Sequence, residues 1–280
     1  MRKAYDYVGK TALVTGASSG IGKEFACQLA ARSVERLFLV ARREAALRDI
    51  QRDLMTRHQI HVEVVAEDLA IAGAHRRVAE RVASLGGRVD VLVNNAGFAT
   101  YGRLETLEDQ TVQEEIQLNC STLVGLTTAF LPSMQAHQDG VVINVASTAA
   151  FQPLPYMAIY GATKAFVLSF TEALWGENRA AGVRCLALCP GATETPFFDR
   201  VGAEEASVGS RQTPETVVGV AFRTVDRGRP SVVSGRRNAA LASAPRLAPR
   251  RQVIAIAEKT MRPRTDKSAI RHSASEVPAQ

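Results

Sequence analysis

The stretch TGASSGIGKE, residues 15–24, decides the fold that the sequence predicts. It follows the short apolar run TALVT at 11–15. It also opens a segment in which apolar residues recur every fourth position, at Ile21, Phe25 and Leu29. An apolar run, a glycine-rich turn and an amphipathic segment in that order predict a β-strand, a tight turn and an α-helix.

The same alternation continues along most of the chain. We predict β-strands at 11–15, 36–40, 61–66, 89–94, 141–147, 183–189 and 231–235, with amphipathic stretches between them. Strands that are apolar on both faces and separated by helices pair in parallel, and the helices cover both faces of the sheet. The sequence therefore predicts a single α/β domain, a doubly wound, Rossmann-type parallel sheet of about seven strands.

Length and composition limit the class of protein. With 280 residues, 46% of them hydrophobic, the chain can bury one large core. The first residues lack the apolar stretch of a signal peptide, and no segment reaches the roughly 20 apolar residues that span a bilayer. We therefore expect a cytoplasmic protein. The five histidines are scattered, so no metal site is predicted.

The net charge of +6 belongs to the C-terminal end. Residues 1–235 contain 24 basic and 25 acidic residues, a balance of −1, whereas residues 236–280 contain 10 basic and 3 acidic residues, a balance of +7. We predict an enzyme-sized domain at 1–235 and a basic extension at 236–280, partly helical and then disordered. We predict no nucleic-acid partner.

The basic extension contains one amphipathic pattern. Val253, Ile254, Ala257 and Met261 share a helical face that is flanked by arginines. Such a helix could lie on an anionic membrane surface, cover a neighbouring subunit or end as a solvated, frayed segment. A peripheral membrane contact is one of the partners that the sequence leaves open.

Two chemistries fit the glycine-rich turn. Residues 16–20 match the G-x-S-x-G turn that presents a nucleophilic serine in hydrolases, which also need an acid and then a histidine downstream. Only His272 lies late enough, and it lies in the basic extension. Glycines at 16, 20 and 22 also let the backbone approach a pyrophosphate, which free N–H groups at the helix start would bind.

The residues at the end of the second predicted strand indicate whether the cofactor is NAD or NADP. About 20 residues after such a turn, an acidic residue selects the 2′-hydroxyl of NAD, whereas arginine accommodates the 2′-phosphate of NADP. The chain has Arg42 and Arg43 at this place. The pair favours NADP(H), although arginines are also common as solvated surface residues.

A second group of candidate residues, Tyr160, Lys164 and Ser147, has side chains that are suited to proton transfer. In the predicted helix YGATKAFVLSFTEAL, Tyr160 and Lys164 lie one turn apart on the apolar face, where an unused lysine is costly. Carbonyl reduction leaves an alkoxide that needs a proton, and a phenol made more acidic by an ammonium group can donate it. Ser147, at the end of the predicted strand VVINVAS, could donate to the oxyanion or serve as a turn former or helix cap.

Asn119 is a polar residue in an apolar stripe. The predicted helix TVQEEIQLNCSTLVGLTTAF places it on one face with Val112, Ile116, Leu123, Leu126 and Phe130. A buried amide must find hydrogen-bond partners. Asn119 could tie the helix to the sheet or hold a water molecule that reaches Lys164.

Together the motifs TGASSGIG at 15–22, Asp68-Leu69, NNAG at 94–97, Asn119, Ser147, YGATK at 160–164 and PGAT at 190–193 resemble the classical short-chain dehydrogenase/reductase superfamily. The resemblance covers about residues 8–235. It implies catalytic Ser147, Tyr160 and Lys164, with Asn119 holding a proton-relay water. It implies that the cofactor is NADP(H) and that the residues binding it are Gly16, Ser18, Ser19, Gly20, Ile21, Gly22, Arg42, Arg43, Asp68, Leu69, Asn95, Ala96, Gly97, Tyr160, Lys164, Pro190, Gly191 and Thr193.

The resemblance also implies a substrate lid at about 193–210. The expected substrate contacts, Phe151, Leu154, Tyr156 and Phe197, are apolar or aromatic and favour a lipophilic ketone or aldehyde, 3-oxoacyl or steroid-like. Relatives commonly pair through long helices, so a homodimer or homotetramer is expected. The alternative is a catalytically silent NADP-binding regulator with the same fold.

Overall fold

The computed structural model of the chain describes residues 3–197 and 211–263. Two predictions fall outside these ranges. They concern residues 198–210, most of the expected lid, and residues 264–280, where we expected disorder.

Within the described ranges, seven strands form one parallel sheet in the order β3-β2-β1-β4-β5-β6-β7. The strands are β1 Thr11–Thr15, β2 Arg36–Ala41, β3 His61–Ala66, β4 Val91–Asn94, β5 Gly140–Val145, β6 Val183–Cys189 and β7 Ser231–Val233. Their order and direction confirm the predicted doubly wound sheet. The order reverses between β1 and β4, and ligands bind at such a reversal, beyond the carboxyl ends of the strands.

Seven of the described helices lie between strands along the chain, and two follow β7. The helices are α1 Gly20–Ala30, α2 Glu44–His58, α3 Ala74–Ser84, α4 Asp109–Ile116, α5 Leu123–Ala136, α6 Ala158–Asn178, α7 Pro214–Asp226, α8 Arg236–Ser243 and α9 Arg250–Met261. A π-helical turn, Gln117–Thr122, joins α4 to α5, and short 3₁₀ turns occur at 104–106, 148–151 and 244–247. None of the described helices is long and apolar enough to cross a membrane.

Helices cover both faces of the sheet. Phe25 of α1 and Phe222 of α7 belong to the buried cluster on one face, and Val78 of α3 and Leu126 of α5 belong to the cluster on the other. Neighbouring strand residues alternate between these two clusters, as the pleat of a strand requires. This packing holds the carboxyl ends of the strands at one rigid edge.

The helix that carries Asn119 differs from the prediction. Ile116 is 37% exposed, whereas the carboxylate residue beside it, Glu115, is completely buried. The π turn widens the helix at 117–122, which offsets the buried face before the turn from the face after it. Glu115 and Ile116 both precede this turn, and the prediction that Ile116 lies in the core is wrong because tertiary packing buries Glu115 instead.

The described part of the basic extension packs on the domain. Val253, Ala257 and Met261 are buried as their shared helical face predicts, but Ile254 is 38% exposed. The Tyr101 hydroxyl donates a hydrogen bond of 2.6 Å to the carbonyl oxygen of Met261. The last described helix is thus attached to the loop that follows β4.

Candidate active site

The glycine-rich turn between β1 and α1 is closely packed. Gly16 has a φ of +65°, a conformation that side chains rarely adopt. A Cβ on Gly22 would lie 2.3 Å from the carbonyl oxygen of Gly16. Glycine is therefore required at position 22 to bring α1 against the turn.

Asn95 connects the end of β4 to this turn. Its side-chain amide donates to the carbonyl oxygen of Thr15 at 2.9 Å, and its backbone N–H donates to the Thr15 hydroxyl at 2.9 Å. The N–H of Ala96 donates to the same hydroxyl at 3.0 Å. These bonds fix the floor of the crevice between β1 and β4.

The start of α1 is suited to an anion. Ser19, the N-cap residue, makes no side-chain capping hydrogen bond. Its hydroxyl therefore does not accept a hydrogen bond from the first N–H groups of the helix. The Arg43 guanidinium donates to the hydroxyls of Ser18 and Ser19 at 3.1 and 3.2 Å. Free N–H groups, hydroxyls and a cation together form a donor set that fits a phosphate.

The second arginine and the aspartate after β3 lie beside this turn. Arg42 is 3.6 Å from the carboxylate of Asp68, and both side chains are largely exposed. The Asp68 carboxylate also accepts from the N–H of Ala70 at 3.0 Å. The pairing leaves the guanidinium open to a further anionic partner, since it has several donors.

A cavity of about 640 Å³ runs along the carboxyl edge of the sheet. Most of the predicted site residues line it. They are Gly16, Ser18, Ser19, Gly20, Ile21, Arg42, Arg43, Asp68, Leu69, Asn95, Ala96, Gly97, Ser147, Phe151, Leu154, Tyr160, Lys164, Pro190, Gly191, Thr193 and Phe197.

Three predicted site residues do not line the cavity. Gly22 lies under the turn, and Asn119 lies behind the wall. Tyr156 has a φ of +64° and packs against the apolar cluster that contains Met261. Its expected contact with the substrate stays a prediction.

Ser147, Tyr160 and Lys164 converge at the middle of the cavity. Ser147 follows the end of β5, caps the 3₁₀ turn by accepting from the N–H of Ala149 at 3.1 Å, and lies close enough to Tyr160 to lower the pKa of its phenol. The two functions considered for this serine are therefore compatible. The Nζ atom of Lys164 lies 5.7 Å from the centre of the Tyr160 ring and donates to the carbonyl oxygen of Val145 at 2.8 Å.

Burial dominates the acid–base properties of this group. It raises the pKa of Tyr160 to about 12, although the hydrogen bond with Ser147 acts in the opposite direction. It lowers the pKa of Lys164 to about 8, because the buried ammonium group has lost its hydration. From the sequence we expect the ammonium group to acidify the phenol, but desolvation is the larger effect on the pKa of Tyr160.

Asn119 ties three segments together at the π turn. Its amide nitrogen donates to the carbonyl oxygen of Phe98 at 2.9 Å and to the Thr163 hydroxyl at 3.1 Å. Its amide oxygen accepts from the N–H of Phe98 at 3.2 Å. Both amide hydrogens are used for protein contacts, so a role in positioning the helix next to Lys164 follows directly from the geometry.

Glu115 is a functional candidate that the sequence analysis missed. One carboxylate oxygen accepts from the N–H and the hydroxyl of Thr100, at 2.8 and 2.7 Å, and the other has no hydrogen-bond partner among the described residues. Burial raises the pKa of this carboxyl group. Its position four residues before Asn119 was the available signal, but the regular apolar stripe pointed to Ile116 instead.

The C-terminal segment supplies a wall that was also missed. Leu241, Pro245, Val253, Ala257 and Met261 line the same cavity as Ser147, Tyr160 and Lys164. The centre of the Phe197 ring lies 5.6 Å from that of Tyr160, and both rings pack against the cluster that contains Met261. The amphipathic pattern showed that this helix needs a partner surface, but not which surface it covers.

The geometry agrees with comparisons to known proteins. A family model described as short chain dehydrogenase matches residues 10–206. The chain belongs to this family. It is therefore an oxidoreductase that interconverts a carbonyl group and an alcohol with a nicotinamide cofactor.

Individual relatives are similar at moderate identity. The very-long-chain 3-oxoacyl-CoA reductase of Bos taurus is 27% identical over 223 residues, which cover 78% of this chain and 69% of the reductase. A solved short-chain dehydrogenase of Sphingobium yanoikuyae in complex with NADPH is 28% identical, with a TM-score of 0.77 and 97% coverage of both chains. A solved 7β-hydroxysteroid dehydrogenase is 26% identical, with a TM-score of 0.82 and coverage of 92% and 99%. This chain spans about two thirds of the length of the 3-oxoacyl-CoA reductases.

Proposed function

We propose that this short-chain dehydrogenase reduces a bulky, lipophilic ketone or aldehyde with NADPH. One observation carries the proposal. A single cavity joins the glycine-rich turn and its arginines to the group of Ser147, Tyr160 and Lys164, and then to an apolar wall.

The residues at the glycine-rich turn fit a dinucleotide phosphate. The N-terminus of α1 and the hydroxyls of Ser18 and Ser19 would hold the pyrophosphate, and Arg42 and Arg43 would hold the 2′-phosphate that distinguishes NADPH. Bound NADPH supplies the hydride of the reaction. The NADPH complex of the Sphingobium relative supports this choice of cofactor.

The chain's own residues manage the proton and the developing charge. Tyr160, whose phenol is protonated at neutral pH, donates a proton to the oxyanion. Ser147 donates a hydrogen bond to the same oxygen. The Lys164 ammonium stabilises the phenolate that remains, and Asn119 holds the π turn against the helix that carries Lys164.

The walls of the cavity indicate the class of substrate. Phe151, Leu154 and Phe197 line it with apolar side chains of the C-terminal segment. Apolar walls beside a few polar groups bind ligands mainly through buried apolar surface. Relatives named for 3-oxoacyl-CoA and for hydroxysteroids support the same class.

The proposal includes a cytoplasmic homodimer or homotetramer whose basic extension touches a membrane. The proposed oligomer is based on the pairing through long helices that is common among relatives. The proposed membrane contact is based on the positive charge of residues 236–280. A silent NADP-binding regulator is not favoured, because Ser147, Tyr160 and Lys164 are all present and converge in the cavity.

Turnover of a panel of ketones tests the proposal. The purified full chain should oxidise NADPH faster than NADH in the presence of lipophilic ketones. The variant Arg42→Ala/Arg43→Ala should lose most of that preference, whereas Arg48→Ala/Arg52→Ala, on the exposed face of α2, should keep it. Binding of NADPH without turnover of any ketone would support the regulator, and equal use of NADH would refute the choice of cofactor.

A further inference from the structure

The rim of the substrate cavity is apolar and exposed. Leu241 of α8 and Ile256 of α9 line the cavity, yet they are 64% and 67% exposed. A side chain that lines a cavity and also faces solvent lies at its opening. Leu247, between the two helices, is 90% exposed.

These exposed apolar side chains are concentrated in one segment. Of the ten large apolar side chains that are exposed in the described residues, four belong to residues 241–256. The other six belong to six different segments of the chain, so the C-terminal segment carries the main cluster. Exposed apolar clusters of this kind mark interaction surfaces.

Basic side chains surround the rim. Residues 236–263 contain seven basic residues and one acidic residue, a balance of +6. The single acid, Glu258, pairs with Arg262. The remaining cations are exposed, and none pairs with an acidic group within the described ranges: Arg236, Arg237, Arg246, Arg250, Arg251 and Lys259.

The helices place cations and apolar side chains on the same faces. Arg237 lies one turn before Leu241 on α8, and Arg250 lies one turn before Ile254 on α9. Lys259 lies three residues after Ile256. A surface with exposed apolar side chains and cations one turn away complements a bilayer with anionic headgroups.

The charge argues against a second copy as the partner. A symmetric contact between two C-terminal segments would bring two patches of charge +6 together, which is unfavourable. A bilayer supplies both negative charge and an apolar interior, and the described helices are too short or too polar to cross it. The contact would therefore be peripheral.

We propose that α8, the turn at 244–247 and α9 form a docking face for an anionic lipid membrane, which places the cavity rim at the bilayer so that the lipophilic carbonyl enters from the lipid. This inference rests on the proposed reductase function for the substrate, but the docking itself does not. An experiment can therefore disprove the membrane docking without disproving the reductase function, and the reverse.

Sedimentation of the full chain with vesicles tests the docking face. The wild type should bind vesicles containing phosphatidylserine and remain free with pure phosphatidylcholine. Arg246→Gln/Arg250→Gln/Arg251→Gln should partition about 100-fold less, from the contribution of each cation near an anionic bilayer. Arg76→Gln/Arg81→Gln/Arg227→Gln, with the same loss of exposed positive charge elsewhere, should bind as the wild type does. Leu247→Ser should bind more weakly without a change of net charge.

Two enzymatic assays separate the inference from the proposed function. All variants should reduce a water-soluble ketone at the wild-type rate, whereas the Arg246, Arg250 and Arg251 variant should reduce a ketone dissolved in phosphatidylserine vesicles more slowly. A wild type that stays unbound, or a control variant that loses as much binding, would overturn the docking face. Vesicle binding without reduction of any ketone would instead refute the reductase function and leave the docking result standing.

Discussion

The hydroxyl of Tyr101 donates a hydrogen bond of 2.6 Å to the carbonyl oxygen of Met261, across 160 residues of sequence. It joins the loop after β4 to the last turn of α9, whose Met261 side chain lines the cavity that also contains Tyr160. The loop itself is held to α4 through Glu115 and Thr100. The wall of the cavity therefore depends on contacts behind it.

Tyr101→Phe should loosen this wall. Loss of one hydrogen bond should lower the free energy of unfolding by about 1 kcal/mol. We expect a higher KM for lipophilic ketones and an unchanged Kd for NADPH, since the bond is made on the substrate side. Thermal denaturation and steady-state kinetics measure both. Tyr7→Phe is the matched control, because the buried Tyr7 hydroxyl has no hydrogen-bond partner among the described residues. An equal loss of stability in both variants would contradict this role of the bond.

Tyr160→Phe should abolish most carbonyl reduction. Removal of a general acid costs about 10²- to 10⁴-fold in rate. The binding of NADPH should persist, because the ring remains. Tyr156→Phe should keep a kcat close to that of the wild type, since Tyr156 does not line the cavity. If Tyr156→Phe lost turnover and Tyr160→Phe kept it, the assignment of the proton donor would be refuted.

The rate of reduction should fall as the pH rises through about 8. Burial lowers the pKa of Lys164 to about 8, so the ammonium group is present below that pH and is lost above it. Without the cation, the Tyr160 phenolate is less stable and proton donation is harder. A profile of kcat/KM from about pH 6 to pH 10 measures this. Lys164→Arg should remove the fall in kcat/KM near pH 8, because arginine stays charged. If the fall in kcat/KM near pH 8 persists in this variant, a group other than Lys164 causes it.

Glu115 should make the protein less stable as the pH rises from mildly acidic values. Burial raises its pKa in the folded state above the ordinary value of 4.5, so its contribution to stability is fully present below that pH. It is lost as the pH rises through the raised pKa, because the unfolded chain ionises first. Chemical denaturation between about pH 4 and pH 8 should show this decline in the wild type and not in Glu115→Gln. Glu80→Gln, at an exposed position of α3, should keep the wild-type decline.

Local patterns were sufficient for the sheet and for much of the site. The seven apolar runs correspond to seven strands with shifts of one or two residues at their ends. Thr213 caps α7 by accepting from the N–H of Thr216, as threonine before a helix commonly does. Tyr160 and Lys164 lie one turn apart because a regular helix separates them, so the sequence spacing carried over directly into the structure.

Two features of the site were not evident from local patterns. Glu115 is buried and Ile116 is 37% exposed, although both lie on α4. Tyr156, with a positive φ just before α6, packs against the cluster around Met261 and does not itself line the cavity. Neither feature has a signature in the neighbouring residues, because each depends on what packs against it.

The sequence by itself determined the order of strands and helices, the glycine-rich turn and the pairing of Tyr160 with Lys164, since these follow from periodicity and spacing within one element. Only the tertiary structure decided that α9 covers the cavity and that Glu115 supports the loop behind it. Those contacts join residues that are distant in the chain. Their free energy comes from the burial of surfaces on different elements, which no local pattern specifies.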